Sequence, residues 1–173
     1  MEIQIRDVAE DDLPVILELN EQAIPLVNCL EIQRFRWFAR SAAYFRVAEI
    51  DQKIAGFLIA ITPATDYDSQ YFGWFCQRYA SFLYVDRIVI TEWARRRGVG
   101  FALYNDLENY ALRLSYSLAT DVYSDPPNEI SLTFHAKYGF KQVGTQIVEE
   151  DDGAHQVAKF LKQPEAKSIG EQA

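Results

Sequence analysis

Hydrophobic and polar positions alternate at the start of the chain, where Ile3 and Ile5 flank Gln4 and lead into Arg6, the pattern of a half-buried strand. Asp11 and Asp12 then stand before Leu13, Ile16 and Leu17, whose spacing is helical, and Pro14 fits a first turn. A second helical stretch runs from about Leu30 to Ala42. Tyr44 to Glu49 and Ile54 to Ile61 read as two strands, linked by the hairpin-sized Asp51-Gln52-Lys53. Phe82 to Ile90 is a nearly continuous apolar run, as in a central strand covered on both faces. Gly98 opens a helix with Val99, Leu103, Leu107, Tyr110 and Leu114 on one stripe. Leu118 to Tyr123 is a further strand, and Pro126-Pro127-Asn128 begins a helix that Gly139 ends. Phe140 to Val148 and His155 to Leu161 make two last strands across Asp151-Asp152-Gly153.

The element order is β-α-α-β-β-β-α-β-α-β-β. It predicts an α/β (α+β) domain whose mixed, mainly antiparallel sheet is flanked by helices. One parallel connection passes through the helix from Gly98. Residues 1–162 form the single expected domain, and the polar segment 163–173 reads as a frayed tail. Thr62 to Ser81 breaks the pattern. Pro63, Asp66, Asp68 and Gly73 predict irregular backbone, yet six aromatic residues from Tyr67 to Tyr79 argue against disorder, and part of the segment fits a short helix.

Composition narrows the class of ligand. A formal net charge of -8 excludes a broad nucleic-acid surface. No apolar run approaches the ~20 residues of a membrane span. Cys29 and Cys76 lack metal-like spacing and fit free thiols in a reducing cytoplasm, with no metal expected. The dense basic cluster is Arg95, Arg96 and Arg97, beside Gly98 and Gly100. A basic turn opening a helix offers free N–H groups and the positive end of a dipole, and Arg95, Arg96 and Arg97 add charge-assisted bonds, so a phosphate or pyrophosphate is predicted beside residues 96–101. A solvated basic turn before a tightly packed helix is the plain alternative. Neither a P-loop nor a dinucleotide fingerprint is present.

Two linked blocks carry a family resemblance. Ile88-Val89-Ile90 lead into Arg95-x-x-Gly98-x-Gly100, and Asn128 is followed by Phe134-His135-Ala136-Lys137-Tyr138-Gly139-Phe140. In both respects the chain resembles the GNAT superfamily of N-acetyltransferases, over residues 1 to about 161. The resemblance implies acetyl-CoA as cosubstrate. Arg95, Arg96, Arg97, Gly98, Val99, Gly100 and Phe101 would hold its pyrophosphate, and Ile88, Val89 and Ile90 would pair with the pantetheine arm on a strand splayed by a β-bulge. The N–H near Ile88 or Val89 would face the thioester oxyanion, and Asn128 would bond the arm or a nearby water.

The chain departs from the family seven residues after the Asn, where a Tyr commonly protonates the leaving thiolate and His135 stands here. Helical periodicity puts Asn128 and His135 on one face and Ile130, Phe134 and Tyr138 on another, the face expected to pack. His135 is therefore the expected acid, against a merely structural role, with Tyr138 and Tyr123 as further donors. Asp86, a carboxylate within an apolar strand, is the expected base, and on a regular strand it shares a face with Ile88 and Ile90. An ion pair with Arg87 or Arg46 is its structural alternative. His155 fits a structural role.

The resemblance leaves the acceptor amine open, as a small molecule or a protein. Trp37, Phe38, Tyr71, Trp74 and Phe75 read either as a pocket wall or as a satellite core or homodimer interface. Three functions remain in view: an N-acetyltransferase working by direct attack in a ternary complex, an acyl-CoA-binding sensor without turnover, and a partner-binding subunit.

Overall fold

A computed structural model describes residues 2–165. The elements are β1 (Gln4–Asp7), α1 (Leu13–Gln22), α2 (Ile32–Ser41), β2 (Tyr44–Ile50), β3 (Lys53–Ile61), α3 (Gln70–Cys76), β4 (Phe82–Ile90), α4 (Val99–Leu114), β5 (Ser117–Asp125), α5 (Glu129–Tyr138), β6 (Lys141–Glu150) and β7 (Gly153–Lys162). Short 3-10 turns precede α1 and α4. The order is the expected one with α3 added, a short helix inside the aromatic segment 62–81. Ser69 caps it by accepting the Phe72 N–H. Of the tail, residues 166–173 lie outside the described part; Glu165 is tied in through its N–H to Glu108 (3.0 Å).

All seven strands join one sheet, in the order β1-β2-β3-β4-β5-β7-β6. Every pairing is antiparallel except β4 with β5. The β2–β3 link is tighter than expected: Lys53 already pairs with Ile50, leaving Asp51 and Gln52 as the loop, both at positive φ. Such a two-residue turn matches the right-handed twist of the strands.

The sheet is buried on both faces, so central strands feed two cores. On one face α4 and α5 cover Leu58, Leu83 and Val85 with Leu103, Tyr104, Leu107 and Phe140. On the other, α1, α2 and α3 cover Phe57, Phe82 and Tyr84 with Leu13, Ile16, Phe35, Phe38 and Phe75. The buried stripe of α4 differs from the expected one. Val99, Leu103 and Leu107 lie in it, but Tyr104, Glu108 and Ala111 replace Leu114, which is 39% exposed. A buried Glu is tolerated there because Tyr138 and Lys162 both donate to it (2.8 and 2.6 Å).

Candidate functional site

The turn ahead of α4 has the backbone of an anion site. Arg96 and Gly98 take left-handed φ of 60° and 82°, and the first helical bond runs from the Ala102 N–H to the Gly98 carbonyl (2.9 Å). The N–H groups of Val99, Gly100 and Phe101 therefore have no intrahelical acceptor. Arg95, Arg96 and Arg97 are exposed around them. The two glycines serve different ends. Gly98 supplies the left-handed turn, with open space where a Cβ would be. A Cβ on Gly100 would stand 3.0 Å from Phe134 of α5, so Gly100 lets the two helices meet beside the turn.

A wedge opens next to this turn. β4 and β5 pair only at Phe82–Ser117, Leu83–Leu118 and Tyr84–Ala119, then part. The β3–β4 register shows why. Ile59 faces Arg87 and Ala60 faces Val85, so Asp86 is the extra residue of a β-bulge, which bends β4. From Asp86 to Ile90, one edge of β4 keeps β3 while the other has no ladder partner on β5.

The bulge also changes the expected faces. Ile88 and Ile90 lie on the α4 face. Asp86 does not join them, because the extra residue turns Asp86 and Arg87 together toward α1 and the segment that leads into α3. Asp86 Oδ2 accepts from Arg87 Nε (2.8 Å) and Oδ1 from the Tyr67 hydroxyl (2.7 Å). Arg87 donates onward to Asn20 and Asn28, both at 2.8 Å. With both oxygens engaged and a guanidinium beside it, Asp86 is the ion-paired alternative rather than an open base. Arg46 binds Asp7 and Asp106 instead.

On α5, Asn128 is the N-cap: its Oδ1 accepts the Ser131 N–H (3.2 Å). His135 departs from the expected geometry. It is 3% exposed, while Ile130, expected to pack, is 75% exposed. The buried face of α5 carries His135 and Tyr138 instead. His135 Nδ1 lies 2.7 Å from the Ser131 carbonyl and Nε2 2.7 Å from the Tyr104 hydroxyl. The carbonyl can only accept, so Nδ1 carries the proton and Nε2 accepts from Tyr104. Burial pushes the His135 pKa down to about 4. A neutral, internally bonded imidazole in the core is not placed to protonate a thiolate, and the expected acid role is corrected accordingly. Tyr138 donates its one hydroxyl proton to Glu108, its oxygen lies 3.0 Å from the Asn105 side chain, and burial raises its pKa, so it too is committed.

A second cluster faces the wedge from the α3 side, and its main member was not foreseen. Asp121 lies two residues beyond Ala119, the last residue of β5 paired with β4. Its Oδ2 accepts from the Tyr84 hydroxyl (3.1 Å) and from Lys159 Nζ (2.9 Å). Lys159 is fully buried beneath the rings of Tyr71, Trp74 and Phe75. Burial drives both partners toward neutrality, raising the Asp121 pKa and lowering that of Lys159. Nearby, the Tyr71 and Tyr123 hydroxyls both donate to Glu150 Oε1. The signal was the run Thr120-Asp121 inside an apolar strand, which period-two alternation sends to opposite faces. The aromatic residues divide between roles. Phe38 and Phe75 are core, Trp37 stacks on Tyr67 at 5.7 Å, and Trp74 packs on Gly144. His155 bonds Asp152 (2.7 Å).

Fold and site together define an α/β domain with a wedge between two parallel strands and a basic, glycine-bearing turn at its side. A model of the acetyltransferase (GNAT) family matches residues 7–140, and the chain belongs to that family. No curated protein matches it in sequence. Solved structures share the fold at low identity. Ard1 from Thermoplasma volcanium superposes with a TM-score of 0.76 at 16% identity, covering 94% of this chain and 97% of that one. The ribosomal-protein-S18-alanine N-acetyltransferase from Escherichia coli gives 0.71 at 14%, covering 98% of each. Arabidopsis thaliana NAA60 in complex with acetyl-CoA gives 0.73 at 16%, covering 94% and 99%. NAA60 has also been solved with a bisubstrate analogue. Among the described residues, no helix is long and apolar enough to cross a membrane.

Proposed function

We propose that the chain transfers an acetyl group from acetyl-CoA to a primary amine, by direct attack within a ternary complex. The wedge between β4 and β5, opening beside the turn at residues 95–101, is the observation that carries this reading. The turn supplies backbone N–H groups and three arginines for the pyrophosphate. The unpaired edge of β4 at Ile88–Ile90 supplies backbone groups for the pantetheine amides, and an N–H there faces the thioester oxygen as charge develops on it. The Asn128 amide bonds the arm. Both cysteines are exposed, and neither stands on the motifs, so attack needs no acyl-enzyme.

CoA release tests this reading, with acetyl-CoA and a panel of primary amines. Amine-dependent release with matching N-acetyl product is the expected result. Binding of acetyl-CoA with no release from any amine would instead favour a sensor. That second reading draws on one feature, the burial of His135 where the family commonly carries its proton donor.

A further inference from the structure

Direct attack requires a neutral amine, and an alkylammonium must lose a proton before its nitrogen can bond to the thioester carbon. Any base must stand on the face from which the acceptor arrives. The donor turn and α4 occupy one face of the sheet, so the acceptor meets the wedge from the α1–α3 face. Two carboxylates look onto it there. Asp86 has one oxygen bound by Arg87 and the other by Tyr67. Asp121 has both its described bonds on Oδ2, and its side chain keeps 14% exposure.

We propose that Asp121 is the base that deprotonates the acceptor amine, with Lys159 and Tyr84 as the positioning residues that hold it. The assignment rests on the acetyl-transfer reading above. Oδ1 takes a proton from the ammonium, and the freed nitrogen attacks the acetyl carbonyl carbon. The C–N bond forms, the C–S bond breaks, and the second proton shed by nitrogen goes to the departing thiolate. Asp121 then returns its proton to solvent, so the sum is amide, CoA thiol and one proton. No separate acid is required, which agrees with an imidazole at His135 that is locked in the core.

The charged and titratable groups around Asp121 come from four elements. Tyr84 and Asp86 lie on β4, Tyr123 on β5, Lys159 on β7, and Tyr71 on α3, whose carbonyl accepts from Lys159 (3.4 Å). Arg78, at the end of α3, acts on Lys159 from outside. Desolvation and the charge of Asp86 favour the proton on Asp121, while Lys159 opposes it. The net shift is upward, so Asp121 takes a proton more readily than an ordinary carboxylate.

The experiment uses the full chain with acetyl-CoA and two primary amines, strongly basic propylamine and weakly basic trifluoroethylamine. Trifluoroethylamine is largely neutral at pH 7 and needs no base to deprotonate it before attack. D121N should lower kcat/KM for propylamine by ~10²–10⁴-fold. For trifluoroethylamine the expected loss is under about tenfold, with acetyl-CoA affinity kept. The acid limb of the propylamine pH profile should vanish in D121N. In K159M it should move to higher pH, because removing a cation raises the pKa of the acid beside it. If D121N strands Lys159 and fails to fold, the double variant D121N/K159M removes both charges and should show the same selective loss. Equal losses on both amines, or a D121N rate within about threefold of wild type, would overturn the proposal. So would wild type that acetyl-CoA stabilises but that acetylates neither amine. Failure of acetyl-CoA to bind would instead overturn the donor reading beneath it.

Discussion

His135 is held by two hydrogen bonds and by rings from Tyr104, Phe134 and Phe140. Its removal should therefore be read in stability rather than in turnover. The folded pKa is depressed to about 4 from an ordinary 6.5. Above pH 6.5 both folded and unfolded states hold it neutral, and its full contribution is present. As pH falls toward 4 the unfolded chain takes up a proton that the folded chain refuses, so stability is lost over that window. The loss attributable to this group is ~3 kcal/mol at most. Urea unfolding at pH 7 and pH 4, in wild type and His135→Gln, checks it: the variant should lose less stability between the two values. Equal losses would mean that the imidazole titrates freely. Sequence placed this residue on the right helix but on the wrong face. Spacing from Asn128 fixed only relative angles, and α5 rolls so that Ile130 faces outward at 75% exposure. The rotation is set by tertiary contacts with Tyr104 and Gly100, which no periodicity within α5 reports.

At the level of elements, the strand pattern was legible because apolar runs bounded by turn residues leave few alternatives. The bulge in β4 was anticipated through the family resemblance, but its position was not. Placing it at Asp86 turns two neighbouring residues to one face and makes an Asp86–Arg87 pair possible. That pair ties β4 to α1 through Asn20, to the α1–α2 connection through Asn28 and to the start of the aromatic segment through Tyr67. The helix α3 was only half visible, since a seven-residue helix with Gly73 inside it is held by packing rather than propensity. Its seat is Gly144, where an added Cβ would stand 2.6 Å from Trp74 Cζ2. Gly144→Ala should cost ~1–3 kcal/mol through overpacking and speed amide exchange in residues 70–76. Denaturant unfolding and exchange measure the two effects, and an unchanged midpoint with unchanged exchange would show that α3 does not depend on this contact.

Across the whole molecule, the sheet sets the basic turn and the Asp121 cluster on opposite sides of the wedge. The basic turn, Gly100, Phe134 and Asn128 gather at one side of the wedge, and Asp121, Tyr84 and Lys159 at the other. This division explains why the first side was readable in sequence, as contiguous motifs, while the second was not. Asp121 meets Lys159 and Tyr84 only after β4, β5 and β7 pair. The proposed transfer requires first that residues 95–101 and the open edge of β4 bind acetyl-CoA. Thermal unfolding with acetyl-CoA, beside CoA, NAD and ATP, tests it most directly. Ligand at about 100 times Kd adds ~2.7 kcal/mol, which for a chain of this size raises the midpoint by roughly 5–10 °C. The expected result is that rise with acetyl-CoA and CoA, and none with NAD or ATP. An unmoved midpoint with acetyl-CoA, or an equal rise with all four ligands, would contradict it.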